Sequence, residues 1–206
     1  MNVLGVDPGT AYCGLAIVSV EGTTRTLLHL ETISQDARTT TEDRHRAIAL
    51  RIASLIDEFQ VGLIAIEEQA SVIHGSEAKG RNNYRSRKVA DIVPRVLGIA
   101  DVKGIPTIVI RAQTVRSLMG VPRVASKEEL ERATRRMCPG ERWRQRSSQH
   151  SRDAAAVATA GERKWSVDSR RSRAADPQQT PMKKAFRVQA KTRKATLQQL
   201  KLPKGL

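Results

Sequence analysis

Aromatic side chains are scarce in this chain: two Trp, two Tyr and two Phe, 3% of 206 residues. A core of ordinary size must then be aliphatic. Cysteine is nearly absent. Cys13 and Cys138 show neither the spacing of a metal site nor a disulfide framework, which suits a reducing cytosol. No apolar run is long enough to cross a bilayer. No basic stretch precedes the first apolar run, and that run carries Asp7 in its middle, so neither a signal peptide nor a membrane association is expected. Acidic residues are outnumbered, 21 Asp and Glu against 36 Lys and Arg, for a net charge of +15.

The cationic surplus is uneven. Residues 161–206 hold 13 Lys and Arg against 3 Asp and Glu, whereas residues 1–160 hold 23 against 18. Such a surplus points to a polyanionic partner, nucleic acid above all. The length suits one globular domain with an appendage. The apolar period fades beyond Gly161, where Ser, Arg, Lys, Gln and Pro dominate. This predicts a domain over 1–162 and a basic tail over 163–206, largely disordered from Ser166 onward.

Val3–Val6 reads as a buried strand, Cys13–Val18 as a second and Arg25–Ile33 as a third, joined by connections short enough for an antiparallel meander. Ile48, Ile52, Leu55, Ile56 and Phe59 then fall at helical spacing behind a candidate N-cap at Thr41. Val61–Ile66 is apolar on both faces, as a central strand is. A second helix is read up to Ala100 despite Pro94, then a buried strand at Thr107–Ile110. Short helices follow at Ala112–Met119 and Ser126–Met137, and one rich in Ala at Asp153–Ala160. Meander first and crossover units afterwards predict an α/β fold: a mixed five-stranded sheet with helices on both faces.

Acidic residues punctuate this plan. Asp7 ends the first strand, Glu67 follows the central strand with Glu68 beside it, and Asp153 opens the last helix three positions after His150. Positions three apart share a helix face. Alone, Asp7-Pro8-Gly9 is a turn, Glu67 a strand end and Asp153 a first-turn carboxylate. Together they are a costly convergence of like charge unless a cation neutralises it. Mg²⁺ takes oxygen ligands and few carboxylates, and two such ions about 3.5–4 Å apart hydrolyse phosphodiesters. Which of Glu67 and Glu68 would be the ligand stays open.

The segments VLGVDPGTAYCGLAIV, LIAIEEQ, RAQTVRSLMGVPRVASKEEL and SQHSRDAAAVATA, in this order and spacing, resemble the RuvC family of Holliday junction resolvases, nucleases of the ribonuclease H-like superfamily. The resemblance covers about residues 1–162 and extends to phage-type variants. It implies an endonuclease of branched DNA using two Mg²⁺ ions (Mn²⁺ as substitute), working as a homodimer in the cytoplasm of a bacterium or a phage-infected host. By motif, Asp7, Glu67 and Asp153 become metal ligands and catalytic residues. His150 becomes a fourth catalytic residue, whether by ligating, orienting water or stabilising charge. An aromatic that family members carry shortly after the catalytic Glu is replaced here by Ala70 and Ser71. Within the basic stretch that follows, Tyr84 can stack on a base while Lys79, Arg81, Arg85, Arg87 and Lys88 hold phosphates. Arg142, Arg144 and Arg146 precede His150 and are assigned to phosphate contact, as are Arg116 and Lys127. Trp143 among these arginines either stacks on a base or pins its loop. The rival readings are a branched-DNA-binding protein that does not cut and an RNA-processing nuclease of the same fold.

Overall fold

Residues 1–9, 11–34, 36, 38–68, 92–144 and 147–175 are described by the computed structural model. Three antiparallel strands come first: β1 (Asn2–Asp7), β2 (Tyr12–Glu21) and β3 (Thr24–Ser34). Helix α1 (Thr41–Glu58) leads to β4 (Val61–Glu68), and α2 (Ile92–Lys103) to β5 (Thr107–Arg111). The order across the sheet is β3-β2-β1-β4-β5, with β4 parallel to β1 and β5 parallel to β4. Helices α3 (Ala112–Leu118), α4 (Lys127–Met137) and α5 (Gln149–Ala175) complete the fold. This is the mixed sheet expected from the sequence, and Met1–Trp165 form one compact unit.

Strand side chains alternate between two faces. Leu4, Val6, Leu15, Ile17, Ile64 and Ile66 pack with Ile48, Ile52 and Leu55 of α1 and Val96 of α2. Val3, Ala16, Val18, Leu63 and Ala65 face the other way, into a core with Leu130 of α4 and Ala154, Ala155 and Ala158 of α5. Trp143 is the one aromatic among the buried residues of these two cores. Its indole N–H donates to the Cys138 carbonyl (2.8 Å), and the Arg135 guanidinium lies 4.9 Å above its ring. Trp143 therefore pins its loop.

Several boundaries differ from the sequence reading. The N-cap of α1 is Thr40, whose hydroxyl accepts from the Asp43 N–H; Thr41 is already helical. Two adjacent threonines offer the same cap chemistry, and only the backbone conformation separates them. Pro94 is tolerated because it lies in the first turn of α2, where its missing N–H forfeits no helical bond. The capping box of Ser126 and Glu129 forms as expected. The largest correction is α5. It begins four residues before Asp153 and runs to Ala175, so residues 166–175 are helical and not part of a disordered tail. Residues 176–206 lie outside the described ones.

Helix α5 rests directly on strand backbone. A Cβ on Gly14 would collide with the His150 carbonyl, and one on Gly5 with the Ala154 carbonyl oxygen and the Ala158 Cβ, the latter at 2.8 Å. On the helix side, a Cβ on Gly161 would collide with Ala65 of β4. The site depends on this contact, because it sets which α5 residues meet the end of β1. Gly5→Ala should destabilise the protein by roughly 3 kcal/mol or more, since neither partner is a flexible side-chain end. A urea midpoint within error of wild type would show that α5 can move away at no cost.

Candidate active site

Asp7 is the last residue of β1, and Glu67 lies near the end of β4. Val6 pairs with Ile66, so the two carboxylates terminate neighbouring parallel strands. Strand parity puts both on the α5 side: Asp7 follows Val3 and Gly5, and Glu67 follows Leu63 and Ala65. Glu68 takes the opposite face. There its carboxylate accepts from Arg111 Nε (2.8 Å), the residue paired with it across β4 and β5. The pleat thus puts Glu67, and not Glu68, on the side of Asp7.

The first turn of α5 supplies the other half. His150 Nδ1 lies 2.9 Å from Asp7 Oδ2. Asp153, one turn on, accepts from Gln149 Nε2 at Oδ1 (2.9 Å) and from Lys127 Nζ at Oδ2 (3.0 Å). His150 also stacks on Tyr12, with ring centroids 5.7 Å apart and planes 11° from parallel. Neither Tyr12 nor Gln149 was singled out from the sequence. Gln149 carried a signal in its i,i+4 spacing to Asp153. Tyr12 carried one in sharing a strand face with Gly14, the residue on which α5 sits.

Burial raises Asp7 above its ordinary pKa against the pull of His150. Glu67 is pushed up to about 7, first by burial and then by the negative charge of Asp7 and Asp153; Arg116 and Lys127 act in the opposite direction. The three carboxylates therefore share one electrostatic neighbourhood. The donor set is all oxygen, which fits a hard divalent cation, and burial above all, with like charge added at Glu67, makes ionisation of Asp7 and Glu67 costly. Among the described residues, however, no three His, Cys, Asp or Glu side chains are gathered closely enough to form a finished ligand shell. Both Asp153 oxygens are held by Lys127 and Gln149, and Asp7 Oδ2 is held by His150.

The basic residues divide. Lys127 binds Asp153, and Arg116 acts on Glu67 while its buried Nε has no hydrogen-bond partner among the described residues. Both stand beside the acidic centre, and the Lys127 side chain remains half-exposed while bound to Asp153. Arg142 Nε donates to the Leu28 carbonyl (3.1 Å), tying its short 3₁₀ turn to β3, and Arg144 is exposed. Lys79, Arg81, Tyr84, Arg85, Arg87, Lys88 and Arg146 lie outside the described residues.

A family model described as crossover junction endodeoxyribonuclease RuvC matches residues 3–80. A RuvC of Thermus thermophilus is 29% identical over 133 residues, covering 63% of this chain and 75% of that protein. One of Alkaliphilus metalliredigens is 38% identical over 68 residues, 33% of this chain and 42% of the relative. The T. thermophilus RuvC structure superimposes with a TM-score of 0.63 at 26% identity, covering 78% of this chain and 92% of that one. The chain is similar to RuvC proteins in both sequence and fold. A fowlpox virus Holliday junction resolvase, at 14% identity and a TM-score of 0.52, shares the RuvC fold, which is the ribonuclease H-like sheet expected from the sequence. The T. thermophilus RuvC has also been solved in complex with a Holliday junction substrate.

The raised Glu67 has a measurable consequence. Between its ordinary pKa of 4.5 and its folded value of about 7, the unfolded chain ionises first, so the folded state holds the extra proton. Stability is greatest below pH 4.5 on this account and falls as pH rises through 7. At pH 8 with chelator, Glu67→Gln should therefore raise Tm by roughly 5 °C. Millimolar Mg²⁺ should raise the Tm of the wild type more than that of the variant. An unchanged or lower Tm for the variant in chelator would show that Glu67 is not destabilised when ionised.

Proposed function

We infer that this RuvC-like chain is a divalent-metal-dependent endonuclease of branched DNA, with four-way Holliday junctions as its foremost substrate. The observation that carries this reading is the shared electrostatic neighbourhood of Asp7, Glu67 and Asp153 at one end of the sheet, with Asp7 and Glu67 both raised. Such a grouping destabilises a fold and is retained where charge is to be bound. Asp7, Glu67 and Asp153 would hold the metal. When bound, two Mg²⁺ ions, with Mn²⁺ as substitute, would supply Lewis-acid chemistry for phosphodiester hydrolysis.

The chain's own residues do the rest. Asp7 is fixed in orientation by His150. With Asp7 ionised, the bond runs from Nδ1–H to the carboxylate, so Nε2 is the ring nitrogen available to a substrate or water. The His150 side chain is 40% exposed, which leaves it reachable from solvent. Lys127 and Gln149 hold Asp153 from two sides, and Lys127 supplies positive charge close to where a phosphate would sit. No described helix is long and apolar enough to cross a membrane, and the reading places the enzyme in the cytoplasm. The symmetry of a four-way junction suits a homodimer, each protomer cutting one strand.

Asp7→Asn tests the reading on four-way junction, flap and plain duplex, with Mg²⁺ and with chelator. Junction binding should persist, and cleavage should fall by roughly three orders of magnitude. Undiminished cutting by the variant would overturn the assignment, and cutting of RNA in preference to branched DNA would move it to an RNA-processing enzyme. The strongly basic C-terminal segment generates a second test. Removing residues 176–206, which follow α5, deletes eight Lys and Arg and one Asp. DNA binding should weaken and its salt dependence should flatten, while cleavage at saturating protein persists. Loss of cleavage even at saturation would refute an anchoring role.

A further inference from the structure

We propose that Tyr12 is a positioning residue for His150, holding the plane of the imidazole so that Nδ1 stays on Asp7 while Nε2 faces the substrate. The inference rests on the nuclease reading above for its kinetic part alone.

The placement follows from backbone geometry. Asp7 and Gly14 are paired across β1 and β2, so their side-chain positions share a face. Tyr12, two residues before Gly14 on β2, projects from that same face. Gly14 has no side chain, and the His150 carbonyl sits against it. The next side chain along that face is therefore brought beside the first turn of α5. This is the observed stack of Tyr12 on His150, 5.7 Å between centroids and 11° from parallel. The loop before it is tight, since a Cβ on Gly9 would collide with the Tyr12 carbonyl.

His150 needs such a support. Among the described residues its ring makes one hydrogen bond, to Asp7 Oδ2, which fixes a single ring atom. The terminal torsion of His is broad, so the ring can still swing about that bond and carry Nε2 with it. An aromatic face laid parallel to the imidazole removes this freedom. Productive geometry at a reacting centre tolerates about 10–20° of error. Tyr12 is half-exposed, and among the described residues its hydroxyl makes no hydrogen bond. Its contribution is therefore the ring, which Phe also has.

The test uses full-length wild type, Tyr12→Ala and Tyr12→Phe on a Holliday junction with Mg²⁺, each also in a His150→Ala background. His150 ring resonances are followed by NMR on histidine-labelled protein. Tyr12→Ala should lower kcat about tenfold with KM and junction Kd nearly unchanged. Tyr12→Phe should recover most of that loss, and Tyr12→Ala should cost nothing further without His150. The ring resonances of His150 should shift in Tyr12→Ala and return in Tyr12→Phe. A rise in KM or Kd at unchanged kcat would overturn the proposal in favour of stacking on DNA. Losses that add to His150→Ala, or His150 signals that ignore the substitution, would also overturn it. A wild type inert on every DNA would defeat the nuclease reading, and the His150 spectra would then decide Tyr12 alone.

Discussion

Everything at the candidate site depends on one close contact, the seating of α5 on the bare backbone of the sheet. His150 lies on Gly14, Ala154 and Ala158 on Gly5, and Gly161 on Ala65. Positions 150, 154, 158 and 161 form one stripe of a helix, while Gly14, Gly5 and Ala65 sit on the adjacent strands β2, β1 and β4. The helix crosses three strands, and at these contacts nothing larger than an alanine methyl stands between. Interiors of this kind have little room to adjust, so the register of α5 cannot slip. That register puts His150 and Asp153 beside the end of β1. A larger residue at any of these glycines would lift the helix and take two of the four polar groups with it.

The same tight seating explains the electrostatics. Bringing α5 onto the sheet takes Asp7 out of water, leaving it 8% exposed, and places Asp153 near Glu67. Burial and like charge then both act against ionisation. The fold offsets part of the cost with Lys127, Arg116 and His150, and the raised Asp7 and Glu67 show that the offset is incomplete. By contrast, Glu31 is held by Arg51 and His29 and lies below its ordinary range. The chain can satisfy a carboxylate fully where structure is all that is required. That it does not do so at Asp7 and Glu67 sets these two apart from the other acids of the fold.

Most of this was legible in the sequence because strands and amphipathic helices announce themselves by period. The continuous apolar run at Val61–Ile66 placed β4 inside the sheet, and it lies between β1 and β5; Asp7 and Glu67 stood out as charges at strand ends. What the sequence concealed followed from non-local packing. The parity that separates Glu67 from Glu68 is a property of the pleat, invisible until the two faces of β4 have been assigned. The run of α5 from Gln149 to Ala175 was obscured because its later turns are basic and lack an apolar period. Tyr12 lies just before the strand read from Cys13, and nothing local marks it, since its partner is 138 positions away along the chain.

A strongly cationic chain built around an acidic centre poses a problem that its own layout answers. The excess of Lys and Arg draws a phosphate backbone towards the surface at long range, yet the carboxylates repel a phosphate at short range. Binding and cutting are therefore separable: attraction belongs to the basic surface, and admission of a phosphate to the centre requires that Asp7, Glu67 and Asp153 first be neutralised. Lys127, bound to Asp153 yet 54% exposed, stands at the boundary between the two fields. On the proposed function, Asp7, Glu67 and Asp153 would hold the metal, whose positive charge would offset theirs. Lys127 would then face an incoming phosphate from beside Asp153, and DNA held by the surface alone would remain uncut.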